Sequence, residues 1–185
     1  MCENNLFIKV QSVDDKDKII NILSNGSYLF QSFIILQGTS FECYGTYKDI
    51  PLNDEEITID IHIDPFLISF FFNTDDFPPL EFCKKVALTY NVNIQLLYFY
   101  KENNYSGEFS IKNKTICCNQ ILSYYQGLYK FDNNFFWETI EQSFDEELNF
   151  EMYCQKINID LNDSDKQYLR SLFDNYAVLK KFQNL

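Results

Sequence analysis

The chain has 185 residues, 46% of them hydrophobic and 23% charged, with a net charge of −12. That balance is globular and excludes disorder. With a single arginine, Arg170, it also disfavours tight capture of free nucleic acid, whose affinity rests on Lys and Arg releasing counterions and forking phosphates.

In chain order, Asn5 to Val10 reads as a first strand. Asp14 to Leu23 reads as a helix, with acids near its start, Ile19, Ile20 and Leu23 as its apolar stripe, and Gly26 after it. The apolar runs Tyr28 to Gln37 and Phe41 to Tyr47 read as strands, and Ile57 to Ile63 alternates strictly as a half-buried one. Phe66 to Phe72 is nearly continuous in apolar character, which predicts a strand covered on both faces. Pro78-Pro79 opens a helix through Tyr90, since proline suits a first turn. Strands follow over Val92 to Lys101, Glu108 to Ile111 and Thr115 to Leu122, with Asn113-Lys114 as a hairpin turn.

After Gly127 the period becomes helical. Trp137, Ile140, Phe144 and Leu148 recur at three- and four-residue steps, and Leu169, Leu172, Phe173, Tyr176 and Leu179 repeat the pattern behind a capping cluster at Asn162 to Asp165. The order predicts an α+β protein: a ferredoxin-like, antiparallel-rich sheet over 1–128 with two helices on one face, and an acidic helical C-terminal extension over 129–185 packed on it.

Three segments of the body resemble one known family. Cys43-Tyr44-Gly45-Thr46-Tyr47-Lys48-Asp49 is similar to its N-W-G-T-K-W-D element, with Tyr44 at the first Trp. Phe72-Asn73-Thr74-Asp75-Asp76-Phe77-Pro78-Pro79 is similar to its F-D-T-A-W-S-P-P element, and Tyr98 through Gly107-Glu108 resembles its Y-x-E…F-x-G stretch. The family is the ferredoxin-like domain of YubB-type proteins, found on plasmids and phages. The resemblance spans about residues 5–128 and implies a ferredoxin-like fold and a mobile-element origin, with no activity to transfer. The residues themselves read as architecture: Gly45 and Gly107 for turns or bulges, Thr74 as a cap-like hydroxyl, Pro78-Pro79 for the start of a helix.

Catalytic chemistry has little to work with. His62 is the only histidine, on the polar face of its strand with Thr58 and Asp60, and reads as solvated. The six cysteines lack C-x-x-C spacing, so neither a zinc site nor a disulfide framework is expected. No phosphate-binding glycine motif occurs, and Asp75-Asp76 is a lone acidic pair. No cofactor is expected, and the protein reads as a non-enzyme. The chain has no apolar run of membrane-spanning length, and its first residues lack the basic and apolar parts of a secretory signal, so a cytoplasmic protein is expected. Its 19 Phe and 13 Tyr against one Trp match the codon bias of an AT-rich genome.

Charge carries the functional reading. Between Asp132 and Asp165 ten acids face one base, Lys156, a net −9 of the −12. Glu138, Glu141 and Asp145 fall on one helix face. The expected partner-binding set is Glu138, Glu141, Asp145, Glu146 and Glu147, with Trp137 as an aromatic anchor. The partner this predicts is a basic protein or ribonucleoprotein effector, and the function a mobile-element inhibitor of the anti-CRISPR or counter-defence type. Two other readings stay open: an immunity protein neutralising a basic toxin or nuclease, and a small-ligand or RNA-binding module using Tyr98 and Tyr100.

Overall fold

The computed structural model of the chain describes residues 1–53, 57–61, 64–75, 77–124, 127–128, 133–157 and 163–183, without the side chains of 133–138, 157, 164–165 and 179–183. It is an α+β protein that divides into two compact units, Met1–Tyr124 and Tyr125–Leu185.

The first unit is built on six strands: β1 (Cys2–Lys9), β2 (Ile57–Ile61), β3 (Leu67–Thr74), β4 (Asn93–Tyr100), β5 (Tyr105–Lys112) and β6 (Thr115–Ser123). They form one sheet in the order β2-β3-β1-β4-β5-β6, with every neighbouring pair antiparallel. β1 is central, and its Leu6 stands opposite Phe70 on one side and Leu96 on the other. That row continues to Phe109 on β5. Because side chains alternate along a strand, these residues share one face, and all four are fully buried.

Four helices of this unit are α1 (Val13–Asn25), α2 (Leu29–Phe33), α3 (Ser40–Tyr44) and α4 (Leu80–Tyr90). They supply Ile19, Leu29, Phe30, Phe33, Tyr44, Phe82 and Val86 to the same buried cluster as the sheet. Phe82 is its hub, with ring centroids 4.6 Å from Phe30 and 5.8 Å from Phe33. Burying each such ring contributes about 1.5–3 kcal/mol.

Local chemistry sets the element ends. Ser12 caps α1 by accepting from the Asp15 N–H. Asn113 and Lys114 take φ values of 50° and 64°, the left-handed pair that a two-residue hairpin turn demands. Asn91, at φ 53°, ends α4 the same way.

The structure corrects three expectations. Tyr28 to Gln37 is not a strand: Leu29, Phe30 and Phe33 are buried at helical spacing in α2. Its first N–H groups are capped from afar by Asp49, which accepts from Phe30 at 2.7 Å and Gln31 at 2.8 Å. Nor is Phe41 to Tyr47 a strand. Thr39 and Glu42 form a reciprocal capping box that starts α3, and Gly45 at φ 83° ends it. Finally, β3 is not covered throughout, since Phe71 is exposed.

The second unit contains α5 (Asn133–Asp145), α6 (Phe150–Ile157) and α7 (Asp163–Gln183). Phe173 of α7 is its aromatic centre, 4.6 Å from Phe144, 5.7 Å from Phe150 and 5.5 Å from Tyr153 between ring centroids.

Candidate functional site

In the first unit, the segments Cys43–Asp49, Phe72–Pro79 and Tyr98–Glu108 meet around one concavity. Its construction starts at buried polar groups. Asn4, on the core face of β1, donates to the Thr74 hydroxyl at 3.0 Å, and Thr74 donates onward to the Phe77 carbonyl at 2.7 Å. This chain fixes the turn that leads into α4. Against that turn packs Gly45, where an added Cβ would stand 3.2 Å from the Leu80 nitrogen. Lys48 pairs with Asp75 at 2.8 Å across the same junction.

The turn and α3 together display three rings. Phe41 and Tyr47 stack at 5.0 Å, and Phe77 meets Phe41 edge-on at 5.6 Å. All three are exposed, by 40%, 57% and 42% for Phe41, Tyr47 and Phe77. Most of a protein's large aromatics would be packed away, so a cluster left open is informative.

Behind the rim lies a pocket of about 520 Å³, lined by Phe41, Phe77, Leu80, Tyr98, Tyr105 and Ile121 among others. Tyr98, Gly107 and Ile121 stand opposite one another across β4, β5 and β6, so they share a face. Gly107 leaves room that no other residue would: a Cβ there would fall 2.2 Å from the Tyr98 hydroxyl oxygen. The phenol therefore lies across β5, at the floor of the pocket. Burial pushes its pKa up to about 12, so it stays protonated and can donate. Glu81 is the charged group in the lining, and Lys84 pairs with it at 2.5 Å. Thr46, next to Gly45, has a buried hydroxyl with no hydrogen-bond partner.

The acidic set predicted from sequence lies in the second unit. Of that set Glu141, Asp145, Glu146 and Glu147 are exposed, as is Glu151 nearby, whereas Ile140, Ser143 and Tyr153 are buried. Glu147 terminates the α5 segment at φ 56°. Two of the acids are paired internally, Glu146 with Lys156 at 2.6 Å and Glu151 with Arg170 at 3.2 Å. The side chains of Trp137 and Glu138 lie outside the described residues.

His62 and Asp76 also lie outside the described residues, and Asp75 is engaged by Lys48. Among the described residues no group of three His, Cys, Asp or Glu side chains could hold a metal ion, and no helix is long and apolar enough to cross a membrane. All six cysteines are free thiols; Cys2, Cys43 and Cys83 are buried and Cys117 is exposed. Tyr98 and Tyr100, considered for stacking on bases, are 2% and 7% exposed. They offer no open face to a nucleobase.

Sequence reasoning missed Phe41, Phe77, Leu80 and Ile121 as a set. The available signal was that Gly45, Pro78, Tyr98 and Gly107 fall in the three segments that resemble one family. Gly45 and Pro78 read one by one as backbone devices, yet with Tyr98 they line one pocket, and Gly107 makes the room in which the Tyr98 ring lies. Compared with protein-family models, with curated proteins and with solved structures, the chain matches none.

Proposed function

We propose that the chain is a non-enzymatic inhibitor from a mobile element, an anti-CRISPR or similar counter-defence protein that binds a basic nucleic-acid-handling effector in the cytoplasm. The observation that carries this reading is the outward display of Glu141, Asp145, Glu146, Glu147 and Glu151 around buried Ile140, Ser143 and Tyr153. Charges placed this way steer a basic surface into encounter and then compete for the groove that nucleic acid would fill. The pairing of Glu146 and Glu151 with Lys156 and Arg170 lowers the net charge locally. It also places Glu141 and Glu147 among the acids that remain for a partner.

For the body we propose a ferredoxin-like fold of the YubB type. Two observations support it: the strand order β2-β3-β1-β4 with helices in both crossovers, and the convergence of the three resembling segments on one wall.

The test is co-purification of the chain with basic effector nucleoproteins, before and after Glu141→Lys, Asp145→Lys and Glu147→Lys are combined. All three sites are exposed, so folding should survive. The expected result is capture by the native chain, weakened by salt, and its loss in the triple variant. Undiminished capture by the triple variant would remove the acidic face as the docking surface.

A further inference from the structure

The acidic face does not use the pocket of the first unit, and the pocket has its own logic. We propose that it is a binding site for a small, uncharged, largely apolar molecule that carries one hydrogen-bond acceptor, such as a ketone or ester oxygen, received by the Tyr98 hydroxyl.

Size and lining come first. About 520 Å³ falls in the range of roughly 300–1,000 Å³ used for small-molecule sites, which are mostly apolar with a few placed polar groups. Phe41, Phe77, Leu80, Tyr105 and Ile121 supply the apolar surface.

The second observation is independent of the first. Tyr98 is 2% exposed and lines the pocket, yet its hydroxyl makes no hydrogen bond among the described residues. A core that wanted only packing would carry phenylalanine there, whereas a tyrosine puts a donor at the pocket floor. Gly107 deepens the argument, because its missing side chain is what lets the phenol lie across β5 at the floor. An acceptor oxygen entering with an apolar body satisfies the hydroxyl and fills the space in one step.

Charge selects the class of ligand. Glu81 and Lys84 neutralise each other at 2.5 Å, while Lys85 turns its ammonium to the Cys43 sulfur at 3.3 Å. Neither lysine lines the pocket, whose one charged lining group among the described residues is the carboxylate Glu81, and the −12 net charge repels an anion. A neutral molecule meets no such barrier.

The experiment uses the full chain and the neutral fluorescent probe N-phenyl-1-naphthylamine, displaced by either acetophenone or its carbonyl-free counterpart cumene. We expect one probe per chain, displaced by both competitors. Tyr98→Phe should weaken acetophenone about fivefold, as loss of a single neutral hydrogen bond does, and leave cumene unchanged. Ile121 is 72% exposed on β6, so Ile121→Glu should keep the native far-UV dichroism while expelling probe and competitors alike. Absence of saturable probe uptake by the native chain would overturn the site. So would equal weakening of both competitors by Tyr98→Phe, or full binding by Ile121→Glu. The acidic triple variant changes no residue that lines the pocket, so its failure and the failure of the pocket are read separately.

Discussion

The aromatic cluster at the centre of the helical unit and the cluster at the mouth of the sheet unit's pocket put the same kind of side chain to opposite use. In the helical unit, Phe173 is 7% exposed and Tyr153 1%, and their rings close over one another beneath a surface of carboxylates. In the sheet unit, Phe41, Tyr47 and Phe77 also touch one another, but they stay open at the mouth of a pocket. Among the described residues, the helical unit buries Phe173 and Tyr153 and shows charge, whereas the sheet unit, besides buried rings such as Phe82 and Phe109, keeps three rings open. The difference teaches that 32 Phe and Tyr side chains, a compositional bias, do not share one role. Position relative to buried polar anchors decides which rings are scaffold and which are surface.

The largest expected effect tests that division directly. Phe173→Ala should cost about 3–5 kcal/mol, because it empties the contact point of Phe144, Phe150 and Tyr153. Phe77→Ala removes a ring already 42% exposed, so about 1 kcal/mol is expected, mostly from the edge contact with Phe41. Urea unfolding followed by far-UV dichroism and by the fluorescence of Trp137, carried on α5, measures both. Equal losses would mean that the open rings are core after all.

Next in size is the backbone behind the wall. Gly45 sits at φ 83° against the α4 start, so Gly45→Ala should cost about 1–2 kcal/mol, the ordinary penalty for a side chain in the left-handed region. A melting temperature unchanged by this substitution would show that the turn is free to relax.

A gentler probe is alkali. Burial raises the Cys2 thiol and the Tyr98 phenol, each to about 12, against ordinary values of 9.0 and 10.0. Both folded pKa values lie above the unfolded ones. Their contribution is therefore fully present below about pH 9 and is lost as pH rises towards about 12. Urea midpoints should fall through that window, and Tyr98→Phe should flatten the part above about pH 10. An unchanged slope in that variant would assign the loss to the other buried phenols, above all Tyr44, which burial also pushes up to about 12.

Much of the fold was legible in the residues. Strict alternation in Ile57 to Ile61 gave β2 its half-buried face, and Asn113-Lys114 marked the β5–β6 hairpin because a left-handed pair has few alternatives. The errors came where tertiary contacts chose between periods. Tyr28 to Gln37 is apolar enough for a strand, but Asp49, some twenty positions away, caps a helix there. No local window contains that carboxylate. The acidic segment could be read from charge alone, whereas its internal pairing could not, since Glu146 and Lys156 are ten residues apart. The pocket was the least legible part. It depends on Gly107 and Tyr98 being neighbours across two strands, and register is a property of the assembled sheet.

The smallest expected effect concerns that internal pairing. Glu146 and Lys156 are 43% and 40% exposed and lie 2.6 Å apart, and exposed pairs of this kind contribute about 0–1 kcal/mol. Lys156→Ala should therefore leave the helical unit almost as stable as before. It also removes the base nearest Glu146, so the displayed charge becomes more negative. If the acids serve encounter with a basic partner, the association rate of Lys156→Ala with that partner should rise at low ionic strength, and the gain should vanish in high salt. Stopped-flow association across a salt series gives both numbers. A marked loss of stability instead would recast Lys156 as a clamp holding α6 to the end of α5. The carboxylates would then be serving the helices' own packing, and the contrast between the two units would rest on the aromatic rings alone.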